Sequence, residues 1–137
     1  MDYGDEIIIP APYYSTYEEI AKICGAKVIP IQTTTYNNFT FSFDDFEQTL
    51  SEKTKLVVLV SPSNPTGTVL SKDLIDKVYD KLKGLDITLI TDEIYEHYIY
   101  DDYKHYSLMS EHVGKKNLTA VTPRGAEQKK ARKKMCT

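Results

Sequence analysis

The sequence predicts an α/β fold of three layers, in which a mostly parallel β-sheet carries helices on both faces. Two apolar runs, residues 56–60 (LVVLV) and 87–90 (ITLI), are short and do not alternate with polar residues. This pattern is typical of strands that are covered on both faces. Between them, residues 71–82 repeat apolar side chains every three or four positions, as an amphipathic helix does. Strand, helix and strand form a βαβ unit, whose right-handed crossover makes the strands parallel.

The first part of the chain shows the same alternation. Residues 6–9 (EIII) predict a buried strand, which the following proline-rich PAP sequence ends because proline lacks a backbone donor. Residues 15–23 predict a helix that Gly25 ends, and residues 27–31 predict a second strand. The side of this helix that is expected to face the sheet consists of Tyr17, Ile20, Ala21 and Cys24.

Helix capping residues mark the elements that follow. Ser42 is a suitable N-cap for a helix over residues 42–50, and Ser71 is one for the central helix, which Gly84 ends. Beyond residue 95 the pattern weakens, and we expect an extended excursion over 96–102, a short helix over 107–113 and a strand over 117–121.

Size and composition indicate a globular protein. With 137 residues, of which 41% are hydrophobic and 27% charged, the chain can bury one ordinary core. No apolar run approaches the length of a membrane span, and the first residues lack the pattern of a secretion signal. The sequence therefore predicts a cytoplasmic location and no membrane partner.

The last residues differ in charge from the rest of the chain. Residues 122–137 hold six basic side chains and one acidic one, whereas the whole chain has a net charge of -3. They offer no apolar face with which to pack against a core. We therefore expect a domain over residues 1–121 and a basic, disordered tail over residues 122–137.

Polar side chains follow two neighbouring strands of the predicted sheet. Asn64 lies in the sequence SPSNPTG directly after one strand, and Asp92 and Tyr95 follow the next. The carboxyl ends of parallel strands meet at one edge of a sheet, where open α/β sheets bind their ligands. We expect these three side chains to share one crevice.

Three segments resemble successive signatures of the class I/II aminotransferases. They are GDEIIIPAPYY at residues 4–14, SNPTG at residues 63–67 and TDEIY at residues 91–95. These fold-type I enzymes depend on pyridoxal 5′-phosphate (PLP) and transfer an amino group between an amino acid and a 2-oxo acid. The resemblance covers the central part of their large domain. The first segment also resembles the 1-aminocyclopropane-1-carboxylate synthases, which keeps a lyase reaction open.

The resemblance implies cofactor-binding roles for four side chains. Asp92 matches the carboxylate that keeps a proton on the ring nitrogen of PLP, so that the ring can act as an electron sink. Asn64 and Tyr95 match the amide and the phenol that donate to the ring hydroxyl oxygen. Tyr14, preferred over Tyr13, matches the aromatic side chain over the face of the ring. Each also has a plainer alternative as a helix cap, a turn former or a core or surface tyrosine.

The same resemblance implies parts that this sequence does not contain. The lysine that forms a Schiff base with PLP would follow the last predicted strand in a Ser-x-x-Lys context, where the chain instead continues into its basic end. The phosphate loop before Gly4 and the arginine that binds the substrate carboxylate are also outside it. We therefore expect an inactive fragment of an enzyme whose intact form is a homodimer.

Other classes of function are compatible with parts of the sequence. LITDE at residues 89–93 resembles a Walker B strand, but no glycine-rich phosphate loop accompanies it. The basic tail could hold an anion such as RNA as part of a non-enzymatic binding module, although we favour a solvated tail without a nucleic-acid partner. The three histidines have no metal-ligand spacing and are expected to be solvated: His97, His105 and His112.

Overall fold

A computed structural model describes residues 1–111 and 117–122 and contains one five-stranded sheet in the order β2-β1-β3-β4-β5. Every strand pair in this sheet is parallel, which confirms the predicted fold class. The strands are β1 (Glu6–Ala11), β2 (Lys27–Gln32), β3 (Thr54–Val60), β4 (Thr88–Asp92) and β5 (Leu118–Val121). The helices are α1 (Thr16–Ile23), α2 (Phe43–Thr49), α3 (Lys72–Leu82) and α4 (Leu108–Glu111), with a 3₁₀ turn at Thr35–Asn37.

The hydrophobic core has two halves, one on each face of the sheet. Because side chains alternate along a strand, Val57 and Val58 belong to different halves. One half includes Ala21 of α1, and the other includes Phe46 of α2 and Val78 of α3, each at most 1% exposed. The sheet is therefore the middle layer of three, as the unbroken apolar runs predict.

The winding of the chain changes direction between β1 and β3. Strand β1 pairs with β2 on one side and with β3 on the other, so the sheet grows outward in both directions from this pair. Open α/β sheets bind ligands beside such a switch point, at the carboxyl ends of the strands. The loops that follow β1 and β3 occupy this place.

The two predicted caps are present at the helix starts. The Ser42 hydroxyl accepts from the backbone N–H of Asp45 at 3.1 Å, and the Ser71 hydroxyl accepts from that of Leu74 at 3.3 Å. After α3, Gly84 adopts a φ of +89°, a left-handed conformation that favours glycine at a helix end. These local signals explain why the helix boundaries could be predicted closely.

The prediction for the inner side of α1 is wrong in part. Ala21 is buried and Tyr17 is half-buried, but Ile20 is 53% exposed and Cys24 is exposed. Ala21 packs with Ile7, Ile9 and Val58, and Tyr17 packs against the same cluster, so the Tyr17–Ala21 stripe is the part of α1 that faces the sheet. The other two side chains lie on its outer flank.

The structure also describes part of the weakly patterned segment beyond residue 95. The segment predicted as an extended excursion over 96–102 begins within a turn over residues 94–97, where the Tyr98 N–H donates to the Tyr95 carbonyl at 2.8 Å. Tyr98 and Tyr100 beyond this turn are exposed. Strand β5 forms where it is predicted, and Thr122 directly after it is buried. The remainder of the predicted tail, 123–137, lies outside the described residues. Within the described part of the chain, no helix combines the length and apolarity needed to cross a membrane.

The cap of α2 predicts a pH-dependent contribution to stability. Hydrogen bonds from the Ser42 hydroxyl and the Ser42 backbone N–H lower the pKa of Asp45 in the folded chain. The ionised Asp45 therefore stabilises the fold at pH values above the ordinary aspartate pKa. This stabilisation is lost as the pH falls through the lowered pKa of the folded chain. The variant Asp45→Asn keeps an acceptor but not the charge. We expect the difference in unfolding free energy between the chain and this variant to be largest above pH ~5 and to shrink as the pH falls below the ordinary aspartate pKa of ~4.

Urea unfolding followed by circular dichroism at several pH values measures this difference. Asp44→Asn is the matched control, since Asp44 lies in the same helical turn and has no described bond to Ser42. An equal pH dependence in both variants would show that the helix dipole, and not the cap, is responsible.

Candidate functional site

The carboxyl ends of β3 and β4 lie side by side. Val60, the last residue of β3, pairs with Asp92, the last residue of β4, and the N–H of Ser61 donates to the Asp92 carbonyl at 3.0 Å. Asn64 follows three residues after Ser61. The structure therefore brings the predicted carboxylate and amide to the same edge of the sheet, next to the switch point.

Two groups among the described residues donate to the Asp92 carboxylate. The backbone N–H of Ile94 donates to Oδ1 at 3.2 Å, and the hydroxyl of Tyr17 in α1 donates to Oδ2. Asp92 is half-buried and lies on the α1 face, as does Ile90 two residues earlier. These contacts leave the carboxylate with further acceptor capacity and a fixed direction.

Tyr17 is held as a neutral donor by its surroundings. Burial raises the pKa of its phenol, and the hydrogen bond to Asp92 and the negative charge of that carboxylate raise the pKa further. Sequence reasoning placed Tyr17 on the inner side of α1 but gave it no function. The available signal was a tyrosine on a buried helix face, since a buried phenol requires a hydrogen-bond partner.

The structure also brings Asn64 and Tyr95 together. The side-chain nitrogen of Asn64 donates to the Tyr95 hydroxyl across a long 3.5 Å contact. Asn64 lies in a tight turn that the Gly67 N–H closes by donating to the Ser63 carbonyl at 2.8 Å, and Gly67 has a φ of +72°. This φ favours glycine, which is the physical reason for the last residue of SNPTG.

Tyr14 is not part of the hydrogen bonds described for the other three predicted residues. Its side chain is 55% exposed, and in the described part of the chain no hydrogen bond joins it to Asn64, Asp92 or Tyr95. Its neighbour Tyr13 instead lines a shallow pocket with Asn64, between the ends of β1 and β3. Tyr14 lies at the same edge, directly before α1, with its ring open to a ligand.

The side chains of Asp92, Asn64 and Tyr95 together fit a flat, cationic heterocycle. A carboxylate with a fixed direction attracts a protonated ring nitrogen, and an amide and a phenol side by side can bind a ring hydroxyl oxygen. The half-buried Asp92 and the 37% exposed Tyr95 leave this set accessible from the sheet edge. A pyridine ring that carries a hydroxyl, as PLP does, matches these groups.

The histidines depart from the prediction in one case. His97 is exposed as expected, whereas the side chain of His105 is only 12% exposed and lies 3.4 Å from the buried carboxylate of Glu93. His112 lies outside the described residues. The prediction that all three are solvated is therefore wrong for His105.

Comparisons with known proteins identify the family. The sequence model of the family described as "Aminotransferase class I and II" matches residues 1–122. The aspartate aminotransferase of Pyrococcus abyssi is 39% identical over 107 residues, which are 78% of this chain and 28% of that relative. An aromatic-amino-acid aminotransferase of Thermococcus litoralis is 33% identical over 107 residues, again 78% of this chain and 28% of the relative.

Solved structures agree with this match. The aromatic aminotransferase of Pyrococcus horikoshii superposes with a TM-score of 0.82 and 32% identity, over 89% of this chain and 33% of that structure. The aspartate aminotransferase of Thermus thermophilus gives a TM-score of 0.81 at 30% identity, over 89% of this chain and 31% of that structure. The chain thus spans about a third or less of the relatives that it matches. It belongs to the class I and II aminotransferase family, whose enzymes depend on PLP.

Proposed function

We propose that these residues form part of a PLP-dependent aminotransferase, which transfers an amino group between an amino acid and a 2-oxo acid. The supporting observation is that Asp92 and the Asn64–Tyr95 pair lie at one sheet edge within the segment that matches the family. A cytoplasmic homodimer is proposed by extension from the same family, as is a cofactor domain over residues 1–121 that precedes a basic tail over residues 122–137.

Asp92 would hold the ring nitrogen of the cofactor. When bound, PLP supplies a protonated pyridine ring that withdraws electrons from the substrate carbon next to the amino nitrogen. The Asp92 carboxylate would accept the hydrogen of the ring nitrogen and keep the proton on it. Tyr17 and the Ile94 N–H would hold this carboxylate in place, and the neutral Tyr17 adds a donor without a competing charge.

Asn64, Tyr95 and Tyr14 would fix the orientation of the ring. The amide of Asn64 and the hydroxyl of Tyr95 would both donate to the ring hydroxyl oxygen, which is consistent with their positions beside each other. The exposed ring of Tyr14 would stack on the cofactor face, a contact worth about 1 kcal/mol.

The other functions are not favoured. The named relatives described above are aminotransferases, which argues against the cyclopropane synthase alternative. The family match over residues 1–122 likewise argues against a non-enzymatic binding module built around the basic tail.

Binding of pyridoxamine 5′-phosphate (PMP) to the 137-residue chain tests the proposal. PMP keeps the ring nitrogen and hydroxyl of the cofactor but has no aldehyde, so it cannot react non-specifically with the many lysines. We expect Asp92→Asn to weaken PMP binding roughly tenfold to a hundredfold, because a hydrogen bond to a charged group contributes about 1.5–3 kcal/mol. Titration followed by the fluorescence of PMP measures the dissociation constant.

Asp102→Asn is the control for this experiment, because Asp102 is exposed and removal of its charge changes the net charge equally. We expect it to bind PMP as the unaltered chain does. Equal losses in both variants would show that only overall charge matters, and failure of the unaltered chain to bind PMP would refute the proposal for these residues.

The role of Tyr17 predicts a pH-dependent effect on stability. The pKa of Tyr17 is raised in the folded chain, so its neutral phenol stabilises the fold at pH values below the ordinary tyrosine pKa. This stabilisation is lost as the pH rises above that pKa. We expect Tyr17→Phe to lower the unfolding free energy by about 1.5 kcal/mol at pH 7, the low end for a bond to a charged group. This difference should narrow above pH ~10.

Urea unfolding at a series of alkaline pH values measures this narrowing. Tyr36→Phe serves as the comparison, because the side chain of Tyr36 is 98% exposed and should contribute nothing. A constant difference between the chain and Tyr17→Phe up to high pH would mean that the hydroxyl of Tyr17 does not donate to a carboxylate.

A further inference from the structure

Glu93 is a buried carboxylate on the face of the sheet opposite to Asp92. It is only 2% exposed, and because side chains alternate along a strand it shares its face with Thr91. The hydroxyl of Thr91 donates to Glu93 Oε1 at 3.1 Å. A buried ionised group is costly unless its oxygens are hydrogen-bonded. The proposed cofactor site does not use this carboxylate directly, so the burial of Glu93 needs another explanation.

Two more partners of Glu93 come from the segment that returns to the core. The hydroxyl of Ser107 donates to Glu93 Oε1 at 3.0 Å, and Nε2 of His105 lies 3.4 Å from Oε2. If Glu93 is ionised it can only accept, and Nε2 is then the ring nitrogen that carries the hydrogen. Directly after them, Leu108 is fully buried. Glu93 therefore joins the start and the end of residues 94–106, which we call the aromatic loop.

Helix α3 also holds the end of the aromatic loop, because the hydroxyl of Tyr106 donates to Asp76 Oδ1 at 2.9 Å and the Lys72 ammonium lies 4.3 Å from the Tyr106 ring centroid. The middle of the loop is exposed. Tyr98, Tyr100 and Tyr103 are each more than 60% exposed, so these rings pack poorly against the core. Tyr95 is near the start of the loop, in a turn where the Glu96 N–H donates to the Glu93 carbonyl at 2.9 Å. The ring of Tyr95 contacts that of Tyr98 edge-on, at 6.0 Å between centroids. The position of Tyr95 therefore depends on how the loop is anchored.

We propose that Glu93 is a positioning residue for the cofactor site. By binding Ser107 and His105 it joins the start of the aromatic loop to the end that Tyr106 fixes on α3, and the closed loop holds the hydroxyl of Tyr95 beside Asn64. This inference rests on the proposed function, in which the Asn64–Tyr95 pair binds the ring hydroxyl. Glu93 acts from the far face of the sheet and touches neither cofactor nor substrate.

The test is a double-mutant cycle between Glu93 and Tyr95, with the dissociation constant of PMP as the readout. We expect Glu93→Ala to weaken PMP binding roughly threefold to tenfold, the effect of one net hydrogen bond. In a Tyr95→Phe background the same change should cause no further loss, because there is no hydroxyl left to position. A general loss of structure would instead weaken binding in both backgrounds.

Two further variants keep the test decisive. Glu93→Gln retains an acceptor for the hydroxyl of Ser107, and we expect it to restore part of the affinity; it also replaces Glu93→Ala if the latter fails to fold. Glu52→Ala, at an exposed position before β3, is the matched control and should bind as the unaltered chain does. Because Glu96 lies close to Glu93 and His105, with ligand atoms within 4.8 Å of one another, all titrations contain EDTA to exclude cations.

Hydrogen exchange gives a measurement that needs no cofactor. We expect Glu93→Ala to speed the exchange of backbone amides in the aromatic loop while those of β3 stay protected. Additive losses in the cycle, or unchanged exchange in the loop, would overturn the proposal. If the unaltered chain fails to bind PMP, the proposed function fails, and faster loop exchange in Glu93→Ala would still support closure of the loop by Glu93.

Discussion

The parallel pairing of β3 with β4 is the constraint on which the site depends. Helix α3 carries the chain from one strand to the other, and the pairing of Val60 with Asp92 ends both strands at the same level. The Asn64 turn and the Tyr95 turn then begin next to each other. A slip of one residue in this pairing would send every side chain of β4 to the opposite face. The packing of apolar side chains on both faces of the sheet opposes such a slip. The core therefore determines the β3–β4 register, and this register determines where Asn64, Asp92 and Tyr95 lie.

The environment of Asp92 comes from a different part of the chain. Tyr17 reaches the carboxylate from α1, so the site includes groups from both sides of the switch point between β1 and β3. A half-buried carboxylate is stable here because the Ile94 N–H and the Tyr17 hydroxyl offset its partial loss of water. Both donors are neutral, so the negative charge is oriented but not cancelled.

Local signals explain what could be predicted from the sequence. The strands and the capped starts of α2 and α3 depend on neighbouring residues, and the βαβ order is sufficient to place Asn64 and Asp92 at one edge. The bond between Tyr17 and Asp92 joins residues 75 positions apart, and no local pattern encodes it. His105 was likewise misjudged, because its partner Glu93 is buried only through the return of the chain to the core.

The alternation of side chains at the end of β4 separates two adjacent acids. Asp92 faces the open edge beside α1, whereas Glu93 is enclosed on the other face among Thr91, His105 and Ser107. The described hydrogen-bond partners of their side chains differ, although one peptide unit joins the two residues. The sheet thus separates a solvent-accessible side, where a ligand can bind and leave, from a buried side whose hydrogen bonds hold the fold together.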